Sequence, residues 1–257
     1  MKLLVKVGGM LLDDDGSRRR IAEELAALHS GGVRLVVVHG GGRQMTRFLT
    51  ERGIKSEFVH GLRVTTPEII DAVLKVFAGS VNHQLVASFV AAGAAAVGLS
   101  GIDACLTEAE QLDPELGMVG RPVGGDARLL DVLADAGYLP VVACVAGDRH
   151  GNVYNVNADQ MAVACAAAFQ AAQLCFLTDV DGVRDGEGRL LAHLTAAQAR
   201  RLIADNIATG GMEAKLNAAC TALEGGVESV RIACGAVPNA VARVAANEEL
   251  GTRLVAA

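Results

Sequence analysis

Residues 2–9 read KLLVKVGG and residues 35–42 read LVVVHGGG. Each is a short, almost wholly apolar run that ends in glycines. A strand that is apolar at successive positions is buried on both faces, which is the pattern of a parallel sheet covered by helices on either side. Helical periodicity follows each run: roughly Arg18–Ser30, closed by Gly31-Gly32, and Gln44–Arg52 with Gly53 as its C-cap. The same alternation continues. Thr66 caps a helix to about Ala78, a second helix covers about Val81–Ala92, and a short strand follows near Ala95–Gly98. Asp126 caps a helix over about Ala127–Ala136, ahead of a buried strand over Leu139–Val145. A hairpin turn at Asp148–Gly151 leads to a strand at Val153–Val156, and an Ala-rich helix runs from about Asp159 to Phe169. Strands near Leu174–Thr178 and Ser229–Ala233, and helices starting after Thr195, at Met212 and near Asn239, complete the chain. The alternation predicts an α/β fold, an α/β/α sandwich around a mostly parallel open central sheet.

The chain of 257 residues suits one large domain or two tightly joined lobes, and no linker separates its halves. Two lobes sharing one continuous sheet are therefore expected, dividing near residue 172. Apolar residues make up 51% of the chain but aromatics only 3%, so Ala, Val and Leu must build the core. A net charge of −6 speaks against a nucleic-acid partner, whose footprint is a basic patch. The most apolar stretch, Leu85 to Leu99, is interrupted by Ser88 and Gly93 and is too short to cross a bilayer, so no membrane role is expected. Six cysteines without CxxC spacing read as reduced, buried thiols of a cytoplasmic protein. No His/Cys ligand grouping predicts a metal held by the protein itself.

Four features carry chemistry. Lys6 stands beside Gly8 and Gly9 at a strand end, where residues without Cβ let backbone N–H groups approach an anion. Gly40, Gly41 and Gly42 repeat the arrangement above a helix N-terminus, which suits a phosphoryl group or a carboxylate. Asn155, Asn157 and Asp159 alternate into the start of a helix. One of the last two has a capping task, which leaves the others unexplained. Lys215 lies one turn into the helix opened by Gly210-Gly211, against the helix dipole, and there it needs solvent or an anionic ligand.

In order along the chain stand KVGG, HGGG, GLRVT (residues 61–65), NVNAD (155–159), TDVDGV (178–183) and GGMxxK (210–215). With these motifs the chain resembles the amino-acid kinase family over essentially its whole length, and within it the branch that phosphorylates N-acetyl-L-glutamate. The resemblance implies ATP as phosphoryl donor, with Mg²⁺ carried on the phosphates, and N-acetyl-L-glutamate as acceptor in arginine biosynthesis. It implies Lys6 and Lys215 reaching the transferring phosphoryl group from opposite lobes, with Asp159 holding both in position. Gly9, Gly41 and Gly42 would donate N–H groups to that phosphoryl group and the substrate. Arg63, Asn155 and Asn157 would bind the acylamino acid in an amino-terminal lobe. Gly8, the run Asp179, Val180, Asp181, Gly182 and Val183, then Ile207, Ala208, Thr209 and Gly211, would line the nucleotide pocket of the carboxyl-terminal lobe. A homodimer is expected. The chain begins at its first strand, without the extra helix that links dimers into hexamers in arginine-inhibited relatives, so insensitivity to arginine is expected too. One departure is Cys234-Gly235-Ala236, where many members have Asp-Gly-Arg.

The chemistry is consistent with those roles. A γ-carboxylate is ionised at neutral pH, so transfer needs alignment and charge neutralisation, not a general base. Competing readings are a kinase with another acidic acceptor, a non-catalytic sensor on the same fold, and two other enzyme classes. A hydrolase would need G-x-S-x-G, and residues 98–102 read GLSGI. A dinucleotide oxidoreductase would need G-x-G-x-x-G after the first strand, which is absent.

Overall fold

The computed structural model describes all of residues 1–257. Eight strands form one open sheet in the order His193–Thr195, Thr252–Val255, Ser229–Cys234, Gln173–Thr178, Lys2–Val7, Arg34–His39, Leu139–Ala143 and Ala96–Ser100. Every neighbouring pair is parallel except Ser229–Cys234 with Thr252–Val255. The first strand is central, pairing with Arg34–His39 on one side and Gln173–Thr178 on the other. Its core-facing neighbours Leu3, Leu4, Val5, Val36, Val37, Val38 and Leu174 are all fully buried, as double-sided coverage demands.

Asp15–Ser30 contacts both Ala240–Ala245 and the long stretch Pro67–Ala91 on one face. Ala158–Ala168, Ala196–Ala204 and Gly210–Glu224 group on the other, with Arg128–Asp135 held to that side through the Lys2–Asp131 and Arg34–Asp131 ion pairs. This is the expected sandwich. A separate ring of four short strands, Glu108–Gln111, Val119–Gly124, Val145–Gly147 and Val153–Val156, closes on itself beside the sheet. A two-stranded pair, Phe58–Val59 and Leu62–Arg63, stands apart.

Three local expectations change. The two helices expected around Gly79 are one continuous helix, Pro67–Ala91, because Leu74–Val81 winds as π-helix and carries the chain through Gly79 and Ser80. The strand expected over Leu139–Val145 divides at Cys144. Leu139–Ala143 stays in the main sheet and Val145–Gly147 turns away into the small ring. The helix after Asp126 starts at Arg128, although the Asp126 carboxylate does accept from the Arg128 N–H. The Asp148 hairpin and the Thr195 cap form as the sequence suggests, Thr195 within a capping box with Gln198, and of the two candidates Asn157 and Asp159 it is Asn157 that caps its helix. All six cysteines are free, and five are buried.

Candidate active site

The carboxyl ends of the first and second strands carry the two glycine clusters. Gly8 stays tied to the sheet, its N–H donating to the Leu177 carbonyl at 2.9 Å. A short 3₁₀ turn, Gly9–Leu12, follows and buries Leu11 and Leu12. Leu11 packs where Gly235 has no side chain, since a Cβ there would lie 2.4 Å from Leu11 Cδ1. The Cys234-Gly235-Ala236 run thus supports the first glycine loop from beneath. A Cβ on Gly9 would sit 3.8 Å from the Gly42 nitrogen, so the two clusters face each other directly. Gly42 opens the helix Gly42–Glu51. No main-chain carbonyl accepts from the Gly9, Gly41 or Gly42 N–H groups, which remain free for an anion.

Lys6, two positions before the first cluster, points to the helix Ala158–Ala168. Its ammonium lies 2.7 Å from Asp159 Oδ1, outside hydrogen-bonding angles, so this is an ion contact and Oδ1 receives no directed donor. Lys215 comes from the helix Gly210–Glu224 and stands 3.5 Å from Asp159 Oδ2. Burial would push the Asp159 carboxyl up, but the Lys6 and Lys215 ammonium groups outweigh it and hold it below the usual carboxylate range. One buried carboxylate between two ammonium groups leaves a local excess of positive charge next to the free N–H groups. Such a place attracts an anion. Asp159, pinned as an anion, is unsuited to removing a proton at neutral pH.

Arg63 lies 7% exposed with its guanidinium stacked 4.6 Å over Phe58. It donates to Ser56, to Thr46 Oγ1 at 2.8 Å and, at 3.4 Å, to the Gly42 carbonyl. Burial lowers its pKa, though a guanidinium stays charged. Thr65, fully buried, takes the Asn155 side-chain amide at 3.0 Å and donates to the Arg63 carbonyl at 2.8 Å. The stretches 61–65 and 155–159, 90 residues apart, are therefore joined through Thr65. Thr65 belongs to the quoted GLRVT run, but its linking role has no sequence signal. Asn157 spends its Oδ1 on the Asp159 and Gln160 N–H groups as the helix cap. Gly9, Gly42, Thr46, Phe58 and Arg63, with Arg43 and Arg47, line an open cleft of about 770 Å³. A smaller hollow, about 380 Å³, lies at the opposite, amino ends of the strands by His29, Arg34 and Gly137, away from this chemistry.

On the other half, Val180 and Ile207 are partly exposed and the loop at Gly186 approaches Ile207, with a Gly186 Cβ position 3.6 Å from Ile207 Cδ1. Asp179 accepts from Thr178, and Asp181 pairs with Arg184 at 3.1 Å. Gly182 has φ +149 and sits so close to Thr252 that only glycine fits. Val183 is buried with its N–H on Thr252 Oγ1 at 2.8 Å, and Ala208 is also buried, so neither side chain of this expected pair presents a surface of its own. Thr209 caps the Lys215 helix without using its hydroxyl. Ser100, the would-be hydrolase nucleophile, donates to Asp103 instead of to a histidine.

Residues 1–234 match the model of the amino acid kinase family. The chain is 64% identical over its full length, and over the full length of the relative, to the acetylglutamate kinase of Solibacter usitatus. It is 42% identical over 252 residues to that of Bartonella tribocorum, covering 93% of this chain and 84% of the relative. Among solved structures, it superposes with TM-score 0.87 on N-acetylglutamate synthase from Neisseria gonorrhoeae complexed with coenzyme A and N-acetyl-glutamate. That likeness is 26% identical and covers 99% of this chain but only 59% of the synthase. Carbamate kinase from Giardia lamblia bound to AMP-PNP superposes with TM-score 0.72 at 17% identity, covering 99% of this chain and 98% of that one, a likeness of fold.

Proposed function

The chain belongs to the amino acid kinase family, and from that premise we propose that it transfers the γ-phosphoryl group of ATP to the γ-carboxylate of N-acetyl-L-glutamate, a step of arginine biosynthesis. The observation that carries the reading is the meeting of Lys6 and Lys215, 209 positions apart in sequence, on the single carboxylate of Asp159 beside two facing glycine loops. In this reading the carboxylate attacks the γ-phosphorus and the bond to the β,γ-bridging oxygen breaks, leaving ADP and an acyl phosphate. No proton moves. What the protein supplies is alignment and neutralisation of charge on the transferring oxygens. Lys6 and Lys215 approach those oxygens from two sides, and the Gly9, Gly41 and Gly42 N–H groups donate to them. Mg²⁺ on the phosphates would neutralise further charge there.

Residues 1–172 would hold the acylamino acid, with Arg63 on its α-carboxylate and Asn155 and Asn157 nearby. A guanidinium already fixed by Ser56, Thr46 and the Phe58 ring loses little freedom on gripping a carboxylate. Residues 173–257 would hold the nucleotide, the exposed apolar Val180 and Ile207 offering a surface for the base. We also assign a cytoplasmic homodimer. Support for the dimer comes from Pro67–Ala91, an apolar helix whose outward Leu74 and Val90 stay exposed in the single chain.

ADP release in the presence of Mg²⁺, ATP and N-acetyl-L-glutamate tests the reading. Acceptor-dependent ADP formation is expected, with kcat/KM higher for N-acetyl-L-glutamate than for aspartate, glutamate, carbamate or an aminoadipate derivative. Faster turnover of one of those acceptors would reassign the substrate, and ATP binding without turnover would make the protein a sensor.

A further inference from the structure

The eight residues Leu74–Val81 are wound as π-helix, and the Asn82 N–H reaches the Phe77 carbonyl five positions back. Such turns give up good hydrogen-bond geometry and concentrate at functional sites. In an α-helix Phe77 and Asn82 would point about 140° apart. The wider turn brings them to one side, and both reach the same loop. The Phe77 ring fills the place of a Gly41 side chain, 2.7 and 2.9 Å from where its Cβ would be. Asn82 Nδ2 lies 2.9 Å from His39 Nε2.

This second contact is fully enclosed, with His39 0% and Asn82 1% exposed. Acceptors ring the Asn82 amide nitrogen, with the Val141 carbonyl at 2.9 Å and that of Leu99 at 3.4 Å. Its neighbour Gly98 leaves no room for a side chain, since a Cβ there would lie 2.1 Å from Asn82 Oδ1. Because Asn82 donates, His39 Nε2 must accept, and the ring proton resides on Nδ1. From there it donates to the Gly40 carbonyl at 2.8 Å. Burial lowers the His39 pKa to about 4, which keeps the ring neutral as this arrangement requires.

In a trans peptide the carbonyl and the following N–H point in opposite directions, and no peptide here is cis. Drawing the Gly40 carbonyl inward onto His39 therefore turns the Gly41 N–H outward, and no main-chain carbonyl takes it up. We propose that Asn82 and His39 are positioning residues for phosphoryl transfer: seated by the π-turn, they fix the Gly40–Gly41 peptide so that the Gly41 N–H faces the anion bound at the glycine loops. The proposal rests on the kinase reading of that site.

Three variants test it. His39→Leu and Asn82→Leu remove the link, whereas His39→Asn puts an amide N–H where Nδ1 stood. The leucine variants should lower kcat about 100-fold, with KM for ATP within about threefold of wild type, and His39→Asn should recover most of the loss. Wild-type kcat in a folded leucine variant, or equal losses in His39→Leu and His39→Asn, overturns the proposal. Nuclear magnetic resonance of the unliganded wild type and His39→Asn gives a readout free of both turnover and folding of the leucine variants. It should find His39 protonated on Nδ1 in the wild type, and a Gly41 amide resonance close to wild type in His39→Asn. A ring protonated on Nε2, or a Gly41 amide displaced in His39→Asn, refutes the link. A wild-type protein that makes no ADP instead refutes the kinase reading, and the resonance result then judges the link by itself.

Discussion

Replacing Asp159 by asparagine keeps the size of the side chain and deletes the only anion between two ammonium groups. The carboxylate is buried, 2.7 Å from Lys6 and 3.5 Å from Lys215, and Lys6 has no other partner. The variant therefore buries an unpaired cation and sets two like charges facing each other across a neutral amide. Removing one member of a buried pair costs about 3–5 kcal/mol. In a chain of this length that lowers Tm by about 10 °C. Nucleotide phosphates would return the missing negative charge, so ADP with Mg²⁺ should raise the variant's Tm by more than it raises the wild type's. Turnover should fall about 100-fold or more, since both lysines lose the group that aims them. Thermal melts with and without nucleotide, read beside kcat, decide the matter. An Asp159→Asn protein that melts within about 2 °C of wild type, or gains no extra protection from nucleotide, refutes the idea that Asp159 holds the lysines. The sign with pH is also set. The native carboxyl titrates below its unfolded value of 3.8, so its contribution is present above 3.8 and is lost only as pH falls through the lower native pKa. The gap between the two proteins should persist from neutrality down to about pH 4.

Lys215→Ala should lower kcat by about 100-fold or more while leaving KM for ATP nearly unchanged, as for a group acting chiefly in the transition state; near-wild-type turnover would remove it from the mechanism. Arg63→Ala should act the other way, raising KM for the acylamino acid about 10-fold or more with a smaller change in kcat, measured at saturating ATP. For His39, native pKa about 4 against 6.5 when unfolded, the stabilising contribution is complete above 6.5 and drains away as pH falls toward 4. Urea unfolding across that window should show a loss of up to about 3 kcal/mol in the wild type that is smaller in His39→Asn.

How far the sequence discloses this molecule depends on what kind of signal each part leaves. The central strands are apolar on both faces and closed by glycine, and that pattern specifies their place without knowledge of partners. The small ring of strands leaves no such mark. Glu108–Gln111 carries two glutamates, and Val119–Gly124 holds two glycines and a proline, so neither looks like a strand until its neighbours are present. The break expected at Gly79-Ser80 fails because a π-turn, fixed by packing of Phe77 and Val81 on Gly41, carries the helix through residues that favour ending one. For the site, the resemblance implied that Asp159 stands between Lys6 and Lys215, and both ammonium groups do meet that carboxylate, but no motif signalled that Asn155 reaches Arg63 by way of Thr65. That link is a long-range meeting, and nothing local encodes it. Asn82 is the plainest case: an amide in an apolar helix, whose purpose becomes visible only with His39 beside it.

The strand Lys2–Val7 is laddered on both edges, to Arg34–His39 and to Gln173–Thr178, so the rails on which the chain's two halves are built meet in it without a gap. A hinge cut across that seam would sever a whole row of ladder bonds. A movement of one half against the other that kept those ladders would have to be torsional, a wringing of the sheet about its middle member. Lys6 sits on that middle strand and Lys215 off the sheet on the helix Gly210–Glu224, so such a twist would displace Lys215 more than Lys6.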